Sequence, residues 1–171
     1  MNKLIILAII IFAAFTRLIP HPPNFTPIIA MGLFGGAYLK DSRLVFLIPL
    51  IAMLLADALL GFHMMMFWVY GSLLIISLLG ILLKNRTSLI NYTIAVLGGS
   101  LLFFLFTNFG VWFISGFYEK SVLGLITCYV MALPFFYNTL AGSVFYSAIM
   151  FGGYEVLKNY LPDGVPDSIQ K

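Results

Sequence analysis

Apolar residues run almost unbroken along the chain, cut into six stretches by short polar or helix-breaking clusters. The first runs roughly from Leu4 to Ile19 and ends at PHPP. The second, Pro27–Leu39, ends at KDSR, and the third, Leu44–Leu60, at GFH. The fourth, Met65–Leu83, ends at KNR. The fifth, Leu89–Phe117, is followed by Glu119 and Lys120, and the sixth runs from Val122 to Leu157. Runs of this kind predict helices that cross a bilayer. The expected fold is all-α, a polytopic bundle of six transmembrane helices. The lengths are uneven. At about 1.5 Å per residue the second stretch covers about 20 Å, short of a ~30 Å hydrocarbon core. The sixth is too long for one straight span, which leaves an interfacial start or a bend at Pro134 open, and with it a count of five or seven helices.

Composition removes the soluble alternative. The 171 residues are 62% hydrophobic and 9% charged, against about 45–50% and about 25% in soluble domains. The excess is spread over the whole length. Residues 1–158 read as one transmembrane domain and residues 159–171 as a polar cytoplasmic tail. Lys3 before LIILAIIIFAAF has the layout of a signal peptide, but Ala13 and Ala14 make a poor cleavage site, so a retained first helix is expected. Cys128 stands alone in an apolar run, without a disulfide partner or a CxxC pair.

Charge adds orientation. With the N-terminus in the cytoplasm, Lys3, Lys40, Arg43, Lys84, Arg86, Lys158 and Lys171 all fall inside, and only Arg17 and Lys120 fall outside. That bias follows the positive-inside rule. It predicts a multi-pass protein of the bacterial inner membrane with both termini cytoplasmic. The net charge of +3 thus reports topology, and no nucleic-acid partner is implied.

The same topology puts the notable polar residues on the outer half. Arg17 and Asp57 each lie inside an apolar run, where a charge faces protein or water and pairs. A bridge locking two helices and a shared wall of a ligand site are both open, and they are compatible. His21 and His63 sit at the ends of different helices without HxxxH or HxxE spacing, so interface residues are favoured over metal ligands. Asn24 is the expected N-cap of the second helix, with Pro27 in its first turn. Asn108 and Trp112 share a helical face, four residues apart, and Asn138 follows Pro134 at the same spacing. Such amides bond a neighbouring helix or a ligand. Small-xxx-small pairs at Gly32–Gly36, Ala52–Ala56 and Ala148–Gly152 mark close helix packing, within the chain or with a partner.

Enzyme signatures are absent. The chain holds no GxxxxGK[ST] loop, no GxSxG elbow and no HExxH. No lysine sits mid-helix, and no row of buried acids forms a proton relay. No cofactor and no metal are expected, and any uphill transport would draw its energy from a partner or an ion.

The segments RLIPHPPNFTPIIAMGLFGGAYL and PLIAMLLADALLGFH, with the later TNFGVW and MALPFFYNTLAGSVFY, resemble a bacterial family of small uncharacterised membrane proteins. More remotely, the layout is similar to the substrate-binding S-component of energy-coupling-factor (ECF) vitamin transporters. FTPIIAMGLFGG (Phe25–Gly36) looks like the start of their second helix. That resemblance implies six helices, both termini inside, and a site covered by the loop after the first helix. It implies no enzyme activity, a vitamin-like small molecule as ligand, and an ATPase-driven ECF-type energising module as partner. The family's AxxxA docking signature lies on the first helix, whereas here the clear AxxxA lies on the third. Metal-type members begin Met-His, and this chain begins MNK, which disfavours nickel and cobalt.

Two readings follow. In one, the chain is an S-component-like uptake protein whose ligand sits between the Arg17–Pro27 loop and the last two helices, held by Arg17, His21, Asn24, Asp57, His63, Asn108, Trp112 and Asn138. In the other it is a membrane scaffold or assembly subunit, whose polar residues only tie helices together. An outward cavity lined by these side chains marks the first, and their mutual satisfaction without a void marks the second.

Overall fold

A computed structural model describes residues 3–84 and 88–160 of the chain. Those residues form six α-helices and one 3-10 turn: α1 (Lys3–Phe15), the turn Thr16–Leu18, α2 (Ile28–Tyr38), α3 (Ser42–Leu60), α4 (Met66–Leu82), α5 (Leu89–Ile114) and α6 (Val122–Tyr160). Three of them, α3, α5 and α6, are long and apolar enough to cross a membrane, and the chain is a membrane protein on that ground. The sixth apolar stretch is one helix, unbroken at Pro134. Most of the expected tail, from residue 161, lies outside the described residues, as do Arg86 and Lys171.

The shortest helix is the centre of the bundle. Every residue of α2 from Ile28 to Gly36 is buried, and so is Tyr38, because α1, α3, α4, α5 and α6 all pack on it. Its sequence, IIAMGLFGGAY, has no charged residue to direct outward and three glycines that admit close neighbours: side chains at Gly32 and Gly35, backbone at Gly36. A Cβ on Gly36 would collide with the Ser77 carbonyl, and one on Gly80 with the Leu33 carbonyl. The Gly32–Gly36 pair is therefore spent inside the chain, where α2 and α4 touch backbone to backbone. Ala52 and Ala56 of α3 are buried as well. Only Ala148–Gly152, on α6, remains exposed.

Local chemistry supports each helix. The Asp41 side chain caps α3 by accepting the Arg43 N–H at 2.8 Å. Pro49 sits inside α3 with its ring against Gly35, where a Cβ would come within 3.2 Å. Apart from Ser147, the buried serine and threonine hydroxyls among the described residues are satisfied along their own helices. Ser77, Ser100, Thr107 and Ser143 each donate to the carbonyl four residues back, at 2.6–2.8 Å. One end of the bundle carries Lys3, Lys40, Arg43, Lys84 and Lys158. There Phe34, Tyr38, Tyr92, Phe151 and Tyr154 form an aromatic layer with ring centroids 4.4–5.6 Å apart. The Tyr38 hydroxyl donates to Glu155 at 2.9 Å.

At the opposite end stand Arg17, the α3–α4 loop and the α5–α6 turn. Helices α5 and α6 meet at Asn108–Cys128 and again at Tyr92–Phe151. Between those contacts α6 uses more chain than α5.

Candidate functional site

The 3-10 turn after α1 delivers Arg17 to α3. Its Nη1 donates to Asp57 Oδ1 at 2.6 Å and lies 3.4 Å from Met53 Sδ. The Tyr70 hydroxyl of α4 donates to the other carboxylate oxygen at 2.7 Å. Asp57 is wholly buried, so its charge is stabilised by this cation and this hydroxyl rather than by water. Three elements are tied through one carboxylate, and both of its oxygens are taken.

The loop that follows is anchored at both ends. Arg17 holds the first. At the second, Phe25 packs on Phe145 and Tyr146, with centroids at 5.6 and 5.8 Å, and its backbone lies against Gly142, where a Cβ would meet Thr26 N at 2.9 Å. Asn24 is not the helix cap. Its φ of 65° places it in the left-handed region that asparagine tolerates, and it turns the chain so that Thr26 N–H bonds its carbonyl at 3.0 Å. Pro27 occupies the cap position, without a side-chain bond, because its ring carries no acceptor for the amides of the first turn. His21 Nδ1 lies 2.9 Å from the Pro22 carbonyl, a contact that needs the proton on Nδ1.

Beside this loop a groove of about 850 Å³ runs between α1 and α6. Ile5, Ala8, Ile9 and Phe12 form one wall, Tyr146, Ile149, Gly153 and Leu157 the other, and Pro20, His21 and Pro22 border its end. The walls are almost entirely apolar. Polar groups gather near the loop: His21, and the Thr16 and Tyr146 hydroxyls, 3.1 Å apart.

The remaining candidates lie elsewhere. His63 is exposed in the α3–α4 loop. Asn108 Nδ2 donates to the Phe104 carbonyl of its own helix at 2.8 Å. Trp112 Nε1 donates to the Glu119 carbonyl at 2.8 Å. Lys120 closes the same turn, donating to the Trp112 and Phe113 carbonyls and lying over the Trp112 ring. That cluster caps the C-terminus of α5. Asn138 is half-buried. The fold therefore joins Arg17 to Asp57 and brings only His21, of the candidates, to the groove. Among the described residues no three His, Cys, Asp or Glu side chains converge on a metal-sized site.

Sequence reasoning missed Tyr70, Thr16, Tyr146, Ala8 and Gly153. Tyr70 carried a signal, being the single tyrosine of α4, on the helix that follows Asp57. Ala8 and Gly153 carried none, because small residues recur throughout such a composition.

A family model spans residues 1–164. The chain belongs to DUF6580, a family of unknown function. Its model takes in the whole loop, the Arg17–Asp57–Tyr70 cluster and both walls of the groove. Among curated proteins and among solved structures, none matches the chain.

Proposed function

We propose that this DUF6580 protein is an S-component-like subunit for uptake of a small molecule, crossing the bacterial inner membrane six times with both termini in the cytoplasm. The observation that carries this reading is the Arg17–Pro27 loop. It is pinned at both ends, and its middle borders the groove between α1 and α6. A loop held only to connect two helices would not need four prolines and two anchors. The ligand enters beneath this loop, with its polar end near His21 and the Thr16–Tyr146 pair and its apolar part along α1 and α6. Asp57 is then a support that fixes the loop, not a ligand contact. Orientation rests on the basic residues gathered at the other end of the bundle. An energising partner would dock away from Ala52–Ala56, because that pair is inside the fold.

Purification in mild detergent or polymer-bounded bilayer discs, followed by mass spectrometry of the intact complex, tests the proposal. A single small-molecule mass retained by the wild type and lost from Gly153→Leu is expected. Retention of that mass by the groove-filled variant overturns the site. Absence of any retained molecule from both proteins favours the second reading, a membrane scaffold or assembly subunit. One observation speaks for it: Asp57, Asn108 and Trp112 all find their partners inside the protein.

A further inference from the structure

The α1–α6 groove is long and apolar along nearly all of its length. One wall extends from Ile5 on α1 to Thr16 in the turn, and the other from Phe145 to Leu157 on α6. At about 1.5 Å per residue each wall is roughly 17 Å long. One leaflet of a ~30 Å hydrocarbon core is about 15 Å deep, so the groove has the length of a single lipid chain. Its volume of about 850 Å³ falls within the roughly 300–1,000 Å³ that takes one small ligand.

The polar side chains stand at one end only, at Thr16, His21 and Tyr146. A sugar, a nucleotide or a peptide spread along these walls would bury polar groups without partners, each at a cost in free energy. A hydrocarbon chain has no such group to bury. Lipid tails are as apolar as the walls, so the walls admit a chain and the polar end selects the molecule that carries it.

Counting protons at that end shows what it selects. Thr16 Oγ1 lies 2.7 Å from the Ala13 carbonyl. A carbonyl has no proton, so the Thr16 hydroxyl gives its single hydrogen there. The 3.1 Å contact between the Thr16 and Tyr146 hydroxyls then uses the hydrogen of Tyr146, and what Tyr146 keeps for a ligand is a lone pair. His21 is spent in the same way. Its Nδ1–H points at the Pro22 carbonyl, which also accepts the Phe25 N–H at 3.0 Å. Nε2 of the neutral ring is then an acceptor only. Among the described residues no charged side chain lines the groove. Arg17 is bound to Asp57, whose two oxygens are both taken. An anionic head therefore meets lone pairs instead of donors, and a cationic head finds no carboxylate. An uncharged head that donates a proton is complementary to this end.

We propose, resting on the uptake reading above, that the ligand of the α1–α6 groove is a long-chain alcohol. Its single apolar chain lies along α1 and α6, and its hydroxyl donates to the lone pairs that Tyr146 and His21 present.

Binding of radiolabelled hexadecanol to the full chain in bilayer discs tests it, at about pH 8, where an ordinary imidazole is neutral. The unlabelled competitors are hexadecanol, methyl hexadecyl ether and hexadecyl phosphate, alike in chain and different in head. Saturable binding that Gly153→Leu abolishes is expected. The ether keeps the oxygen and lacks the proton, and is expected to compete about fivefold more weakly, as for one lost hydrogen bond. The phosphate is expected to compete more weakly still. His21→Arg gives this end a cationic donor and is expected to reverse the order, with the phosphate ahead of the alcohol. Equal competition by alcohol and ether, the phosphate ahead in the wild type, or an unchanged order in His21→Arg overturns the hydroxyl head. Absence of saturable hexadecanol binding overturns the alcohol altogether. None of these results touches uptake itself, which falls when the purified wild type retains no small molecule. A retained molecule without a long chain upholds uptake and overturns the alcohol.

Discussion

Tyr70 donates to the oxygen of Asp57 that Arg17 leaves free, at 2.7 Å against 2.6 Å for the arginine. The carboxylate is thus closed from two helices at once, and it works as a fastening for the loop. Removing one member of a buried pair leaves the other charge unpaired, at a cost of about 3–5 kcal/mol. Arg17→Met and Asp57→Leu are each expected to lower the thermal unfolding temperature by many degrees in detergent. The double variant, apolar on both sides, is expected to recover most of that loss. Tyr70→Phe removes only a hydrogen bond to a charge, about 1–3 kcal/mol, and its shift falls below that of either single charge variant.

At Gly36 and Gly80 the contact of α2 with α4 leaves no room for a side chain. Gly36→Ala or Gly80→Ala pushes a methyl into facing backbone, and neither helix can retreat without opening the centre of the bundle. Both variants are expected to lose the monodisperse peak in size-exclusion chromatography. Gly98→Ala is the control, because a Cβ there meets nothing within 4 Å. It is expected to elute and unfold like the wild type.

Filling the α1–α6 groove separates binding from folding. A Cβ at Gly153 meets nothing within 4 Å, so Gly153→Leu is expected to unfold within a few degrees of the wild type. On the proposed uptake role, the same variant is expected to lose the small molecule that the wild type would retain. A large fall in unfolding temperature would show that the groove wall is structural.

Asn108 and Asn138 provide the converse test. Asn108 bonds within its own helix, and neither amide lines the α1–α6 groove. Asn108→Leu and Asn138→Leu are each expected to keep the ligand, as read by the same mass spectrum. Loss of ligand from either would move the site toward α5 and the first half of α6.

The helices were legible and the α1–α6 groove was not. Six stretches delimited by KDSR, GFH, KNR and the proline loop became six helices with ends within about one turn of those expected, because lipid and charge punctuate a membrane chain strongly. The Arg17–Asp57 pair was legible too, since a charge inside an apolar run must find its opposite. The groove was not, because it is made where side chains are small, at Ala8 and Gly153, and a missing side chain leaves no pattern. Asn24 misled for a related reason. Asparagine favours helix caps and left-handed turns alike, and only the following proline, at the cap itself, settles which.

The position of α2 bears on how the protein is made. It is about 17 Å long, second in the chain, and walled on one side by Phe151 and Tyr154 near the end of α6. Synthesis therefore produces the hub before most of its rim. Until α6 leaves the ribosome, Phe34 and Tyr38 lack the Phe151 and Tyr154 rings that wall them in the finished fold, and truncation before Phe151 leaves them without that wall. Nascent chains cut short at that point should be the substrates that membrane quality control recognises first.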